Sequence, residues 1–125
     1  MTFRRLILPL AVAIALPAAL SAAPAMDGKS QKGTILTDSH GMSLYTFVKD
    51  KEARSACNGD CAVKWPPLAA KAGDRPEGHF GIIARDDGSL QWTYKGKPLY
   101  TWFKDKTSGD VTGDGVKGVW HLARP

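Results

Sequence analysis

Two stretches decide the reading of this chain: Gly41-Met42-Ser43-Leu44-Tyr45-Thr46-Phe47-Val48-Lys49-Asp50-Lys51 and Gly96-Lys97-Pro98-Leu99-Tyr100-Thr101-Trp102-Phe103-Lys104-Asp105-Lys106. Aligned without a gap, they share Gly, Leu, Tyr, Thr, Lys, Asp and Lys, and Phe47 stands opposite Trp102. The same offset matches Trp65 with Trp120. An internal repeat this dense is the mark of a duplicated unit. Two copies are too few for a solenoid, so the halves are expected to pack together in one domain.

Each copy reads as a β-strand. A glycine releases the chain from a turn, and Leu, Tyr, Thr and an aromatic residue follow. With a period of two, Tyr45 and Phe47 share one face, and Leu44, Thr46 and Val48 the other. Tyr100 and Trp102 repeat this opposite Leu99, Thr101 and Phe103. Both faces are largely apolar, which predicts strands covered on both sides at the centre of the fold. Around them, Gly33–Thr37 leads through Asp38-Ser39-His40-Gly41 into the first copy as a hairpin. Phe80–Arg85, Leu90–Tyr94 and the second copy form a meander with turns at Asp86-Asp87-Gly88 and Lys95-Gly96. Val119–Ala123 is a last strand, and Lys71–Gly78 reads as loop. One helical turn is predicted between Cys61 and Trp65, with Asp60 as its N-cap and Pro66-Pro67 as its stop. The fold class is therefore mainly β: a small single domain of antiparallel strands from two pseudo-symmetric repeats, with a short helical turn near the cysteine pair.

The N-terminus has a different character. Arg4 and Arg5 precede an apolar run from Leu6 to Leu20, and Ala23-Pro24-Ala25 follows. A positive n-region, an apolar h-region and an A-x-A site are the pattern of a secretory signal peptide. The run of about 15 residues falls short of the ~20 needed to span a bilayer. The reading is a leader over residues 1–25, cleaved after Ala25, and one domain over 26–125, with repeat one at about 33–68 and repeat two at about 80–123. The product is expected in the periplasm or outside the cell, without a stable membrane span. No cysteine lies beside the cleavage site to be acylated.

The net charge is +5, but Lys and Arg are scattered. Nucleic-acid recognition needs a clustered basic patch, and none is present. Cys57 and Cys61 are expected to form a disulfide in an oxidising compartment, closing a tight loop worth about 2 kcal/mol. The alternative, redox chemistry, normally uses two intervening residues at the start of a helix in a βαβ unit.

Tyr45-Thr46-Phe47-Val48-Lys49-Asp50 and Tyr100-Thr101-Trp102-Phe103-Lys104-Asp105 both fit Y-x-[FWY]-x-x-D. With Cys57-Asn58-Gly59-Asp60-Cys61-Ala62, Trp65-Pro66-Pro67-Leu68, Gln91-Trp92-Thr93-Tyr94 and Gly118-Val119-Trp120-His121, the chain resembles the bacterial secreted-repeat family, also described as predicted lipoproteins with that motif. The resemblance spans nearly all of the chain after the leader. It implies no settled biochemical activity, and only an association with an accessory role in alkane or hydrophobic-substrate handling. The chain departs from the lipoprotein label in lacking the acylated cysteine.

The motif residues Tyr45, Phe47, Asp50, Tyr100, Trp102 and Asp105 are the first candidates for a site. Asp50 and Asp105 each end a strand, where a carboxylate ordinarily caps the following turn. The sharper role is a symmetric acid pair facing one ligand. Four tryptophans, Trp65, Trp92, Trp102 and Trp120, make either a core or an exposed aromatic shelf. Asp110, Thr112 and Asp114 lie in a stretch like the start of a calcium loop, but its twelfth position is His121 instead of Glu. His121 with His40, His79 and Met42 would have to converge to hold copper. The leading expectation is a non-catalytic binding or interaction module without a cofactor, engaging a ligand or a cell-envelope protein. A metal-binding accessory protein using calcium or copper, or a redox one, is the alternative, and no catalytic constellation stands out.

Overall fold

The computed structural model describes residues 23–125. The leader read in the sequence falls outside these residues except for its last three, of which Ala25 is buried against Leu36, Leu44, Leu99 and Ala123. Among the described residues, no helix is long and apolar enough to cross a membrane.

The expected β-rich domain is present. Repeat one contains β1 (Met26–Ser30), β2 (Gly33–Thr37), β3 (Tyr45–Phe47), the five-residue helix α1 (Asp60–Lys64) and β4 (Ala69–Ala70). Repeat two contains β5 (Phe80–Ala84), β6 (Leu90–Tyr94), β7 (Lys97–Pro98), a 3-10 turn (Val116–Gly118) and β8 (Trp120–Leu122). All pairings between these strands are antiparallel. The β5–β6 turn uses Asp87, whose carboxylate accepts the Ser89 N–H and O–H. The β6–β7 turn sits at Lys95-Gly96 with φ of 49° and 82°, both left-handed as a two-residue hairpin of the primed type requires.

The halves are interlocked instead of side by side. β3 of repeat one pairs with β8 of repeat two, and β4 of repeat one pairs with β6 of repeat two. Equivalent hydrogen bonds recur across a pseudo-dyad. The Val48 N–H donates to the Val119 carbonyl at 2.8 Å, and the Phe103 N–H to that of Lys64 at 2.9 Å. The Leu36 N–H donates to Ala123 at 2.9 Å, and the Trp92 N–H to Leu68 at 2.9 Å. On the axis itself Tyr45 and Tyr100 exchange both main-chain bonds, at 2.8 and 3.0 Å. The end of each repeat thus completes the sheet of the other, so an isolated repeat would leave strand edges and apolar faces in water.

Three sequence expectations are corrected. The first repeat stretch is a strand only over Tyr45–Phe47, and the second only over Lys97–Pro98 with bridges at Tyr100; Leu44, Tyr45, Leu99 and Tyr100 are fully buried and Trp102 is buried in the core. Beyond them Val48 and Phe103 are exposed, because only short segments, Pro66–Leu68 and β8, run alongside. The Gly33–Thr37 strand pairs first with β1, a strand whose Met-Asp-Gly-Lys-Ser sequence lacks apolar alternation. The expected turn at 38–41 then brings the chain back onto the first repeat segment in a short hairpin, where the Leu44 N–H donates to the Leu36 carbonyl and the Asp38 N–H to that of Met42 around the bridge between Thr37 and Ser43. Finally, Gly59 occupies the N-cap of α1, with φ of 57°, and Asp60 lies inside the first turn without capping it. The charge still faces the positive end of the peptide dipoles.

Cys57 and Cys61 are bridged. Cys57 is fully buried in the main core with Ile35, Tyr45, Trp65, Tyr100, Trp102, Trp120 and Leu122.

Interlocking predicts that the repeats do not fold apart. A chain cut after Gly73, in the loop between them, should give two fragments that are each disordered by NMR and that regain one dispersed spectrum on mixing. A folded spectrum from either fragment alone would refute the interlocked arrangement.

Candidate functional site

The duplicated motif meets itself at the pseudo-dyad. The Tyr45 hydroxyl donates to Asp105 Oδ2 at 2.6 Å, and the Tyr100 hydroxyl donates to Asp50 Oδ2 at 2.7 Å. Each tyrosine therefore serves the aspartate of the other repeat. The second oxygen of each carboxylate caps a loop. Asp50 Oδ1 accepts the Ala56 N–H at 2.7 Å, and Asp105 Oδ1 accepts the Thr112 N–H and O–H at 3.0 and 2.7 Å. The capping expected from the sequence is present, joined to a crossed bond that the sequence did not announce.

The aromatic residues of the motif build one stack. Phe47 lies on Trp120 with ring centroids 4.1 Å apart, Trp120 on Trp65 at 3.8 Å, and Trp65 on Trp102 at 3.9 Å. Tyr45 meets the Trp65 ring edge-to-face at 5.4 Å, and Tyr100 meets Trp120 in the same way at 5.1 Å. Such pairs add about 0.5–1.5 kcal/mol each beyond their buried area. Gly113 explains part of the Asp110–Gly115 sequence. A Cβ there would lie 2.9 Å from Trp102, 2.9 Å from Trp65 and 3.0 Å from Tyr45, while the Gly113 N–H donates to the Tyr45 hydroxyl at 3.2 Å. The glycine is a requirement of ring packing.

The two copies differ behind their tyrosines. In repeat two the polar cluster ends at Asp105, which is 7% exposed. Behind Tyr100 a longer chain runs. Buried Arg85 donates to Ser55 Oγ at 3.0 Å and to Gln91 Oε1 at 2.6 Å. It also donates to the Cys57 carbonyl. Ser55 Oγ lies 2.6 Å from the Tyr100 hydroxyl. Since that hydroxyl spends its proton on Asp50, Ser55 is the donor between them. Donors thus point one way from guanidinium to carboxylate, a polarised series that compensates the buried Arg85 charge and the half-buried Asp50 carboxylate. Arg85 was missed in the sequence. Ile83 and Arg85 are both buried on either side of exposed Ala84, so strand alternation was the signal that would have found it.

Titration follows these contacts. Burial and then the Asp105 hydrogen bond push the Tyr45 hydroxyl well above the ordinary phenol range. Burial and then Asp50 do the same to Tyr100. Burial raises Asp50 above the usual carboxylate range, against the pull of the Ala56 N–H, Tyr100 and Arg85. The folded state holds the Asp50 proton more tightly than the unfolded chain does. Its contribution to stability is therefore full below the ordinary carboxylate pKa and is lost as pH climbs through the raised value.

The residues of the calcium-like stretch are engaged separately. Asp110 accepts the Lys106 and Thr107 N–H groups and the Thr107 hydroxyl, which hold its carboxyl below the usual range. Thr112 binds Asp105. Asp114 pairs with Lys32 at 3.0 Å and accepts the Leu122 N–H. Burial works against that carboxyl's ionisation, and the Lys32 and Leu122 bonds outweigh it, leaving the pKa lowered. His121 is exposed and lines a cleft with Asp50. Among the described residues, no three His, Cys, Asp or Glu side chains are grouped to hold a metal ion.

That cleft, about 760 Å³, opens beside β3 and β7. Phe47, Pro98 and Leu122 give it apolar surface, Lys51, Lys95 and Lys97 positive charge, and Asp50 and Glu52 negative charge. Of the two motif aspartates, Asp50 alone lines it.

The crossed bonds are testable by double-mutant cycles. Tyr45→Phe should cost about 1.5–3 kcal/mol, the value of a hydrogen bond to a charged group. Its effect should couple to Asp105→Asn by about 1–3 kcal/mol and be additive with Asp50→Asn within about 0.5. Urea denaturation of the three single and two double variants measures this, and coupling to Asp50 in place of Asp105 would contradict the crossing. In the same assay Gly113→Ala should cost about 1–3 kcal/mol through overpacking. A stability equal to the parent's would show that the three rings yield freely.

No curated protein and no solved structure matches the chain. Residues 28–69 and 81–124 each match the family described as a secreted repeat of unknown function, their boundaries taking in the two interlocked halves. With both copies matched over more than half of its length, the chain belongs to that secreted-repeat family.

Proposed function

We propose that this domain is a non-catalytic binding or interaction module that works in the periplasm or outside the cell after removal of its leader. The secreted-repeat family, the N-terminal leader pattern and the Cys57–Cys61 bridge support the location. One observation carries the rest. The polar groups of the motif are spent on one another, while the charged side chains that wall the cleft, apart from the already engaged Asp50, lie outside that network. Tyrosines and aspartates held this way build a scaffold. They are not poised to exchange protons with a substrate, which needs a group free to reach it.

The cleft's chemistry indicates the class of ligand. Lys51, Lys95 and Lys97 outnumber Asp50 and Glu52, and His121 adds a further donor. The Asp50 carboxylate is already engaged by Tyr100 and Ala56. These features suit an acidic, hydroxyl- or amide-bearing molecule lying on the apolar surface of Phe47, Pro98 and Leu122.

The test is amide-resolved NMR of the secreted chain with glucuronic acid, N-acetylmuramic acid and alanyl-glutamate as probes. Shifts should cluster at the amides of 46–48 and 95–97 and vanish in Lys97→Glu. Absence of shifts from all three acids, or conversion of any of them into a product, would defeat the reading. A stoichiometric metal, or a melting shift of several degrees between calcium or copper and EDTA, would replace it with a metal-binding accessory role.

A further inference from the structure

The ring stack also reaches the surface at a smaller groove of about 370 Å³ that shares Phe47 with the cleft. Its floor is the stack itself: Phe47, Trp120, Trp65 and Trp102. Trp120 has a ring on each face, Phe47 and Trp65, and Trp65 lies between Trp120 and Trp102. These two indoles can offer the groove only their edges. Aromatic edges carry the positive part of the ring quadrupole, so they favour an anion or the face of another ring.

The rim is cationic. Lys49 follows β3, Lys64 ends α1, and Lys117 lies in the 3-10 turn. Asp60 is the one acidic residue among the lining side chains. None of the three ammonium groups has an ion-pair partner among the described residues, where the one salt bridge joins Lys32 to Asp114. Lys117 is held at φ 50°, ψ 16°, a left-handed conformation that disfavours a non-glycine residue. Three unpaired cations from three separate elements therefore surround a floor of ring edges.

We propose that this groove binds an anion carrying a planar apolar group, of the aromatic carboxylate type. The ring would lie on the tryptophan edges and the carboxylate among the lysines. A volume near the lower end of ligand pockets suits one or two fused rings. This site goes beyond the ligand reading of the larger cleft and uses different charged residues.

The probe is 1-naphthoate, titrated into the secreted chain and followed by the four indole N–H resonances. Trp92 does not line the groove and serves as an internal reference. Saturable shifts are expected at Trp65, Trp102 and Trp120 with Trp92 unmoved. Neutral 1-naphthamide should bind at least tenfold more weakly. Combined Lys49→Gln, Lys64→Gln and Lys117→Gln should weaken naphthoate at least tenfold, and Lys29→Gln, on β1, should leave it unchanged. Should the triple variant melt lower than the parent, Lys117→Gly serves in its place. It relieves the backbone conformation while removing the charge, and a several-fold loss of affinity is expected. No saturation, equal binding of the amide, affinity retained in the folded lysine variants, or shifts led by Trp92 would each overturn the proposal.

Discussion

Tyr45 and Tyr100 bond to each other through their main chains, and each then reaches across to the other repeat's aspartate. The rest of the molecule is arranged around this exchange. A buried carboxylate is tolerated only when its acceptor positions are filled, so each aspartate obliges a loop to fold back and supply N–H groups. Those loops bring Ala56 and the disulfide in one half, and Thr112 and Gly113 in the other. The tyrosine rings, fixed at their hydroxyl ends, present their edges or faces to Trp65 and Trp120. One polar crossing thus sets the position of the aromatic core, and the core in turn excludes water from the crossing.

Much of this architecture was legible in the residues. The repeat could be read from the spacing of Tyr, aromatic and Asp, and the strands from their alternation. The bridge between Cys57 and Cys61 followed from their closeness and from the leader. What the letters could not convey was the partner of each motif residue. A tyrosine bonded to the aspartate of its own copy and one bonded across the dyad require the same sequence, because identity of the copies makes the two arrangements chemically equivalent. The distinction lies in the antiparallel bridge at Tyr45 and Tyr100, a long-range contact with no local signature. Strand β1 escaped for another reason. Gly28 packs so closely on Thr37 that a Cβ would lie 2.5 Å from its methyl group, so the strand is specified by the absence of a side chain and by hydrogen bonding to β2. The calcium-like spacing of Asp110, Thr112 and Asp114 illustrates the converse. Asp and Gly recur there because one loop must cap Asp105, pair with Lys32 and pass beneath three rings.

The site is legible in the same uneven way. The motif names the scaffold, and the scaffold is not what a ligand would meet. Much of the surface chemistry comes from positions that differ between the copies, Lys95, Lys97 and His121 at the cleft and Lys64 and Lys117 at the groove, while Lys49 and Lys51 recur as Lys104 and Lys106. In a duplicated protein whose shared tyrosines and aspartates are committed to holding the halves together, differences between the halves carry much of the functional information.

The two aspartates show how small such a difference can be. At Asp105 the capping residue is Thr112, which supplies both an N–H and an O–H. At Asp50 it is Ala56, which supplies an N–H alone. With no hydroxyl to complete its shell, Asp50 relies on Tyr100, and Tyr100 is backed by Ser55 and buried Arg85. The guanidinium makes up part of what the missing hydroxyl would have supplied, at longer range and without covering the carboxylate. Asp105 is consequently sealed, and Asp50 is left half-buried at the wall of the cleft. A duplication that begins with two equal carboxylates can therefore keep one as structure and expose the other. The copies differ in the residue that caps each carboxylate, six positions after Asp50 and seven after Asp105, and in the buried arginine, while the crossed bonds are common to both.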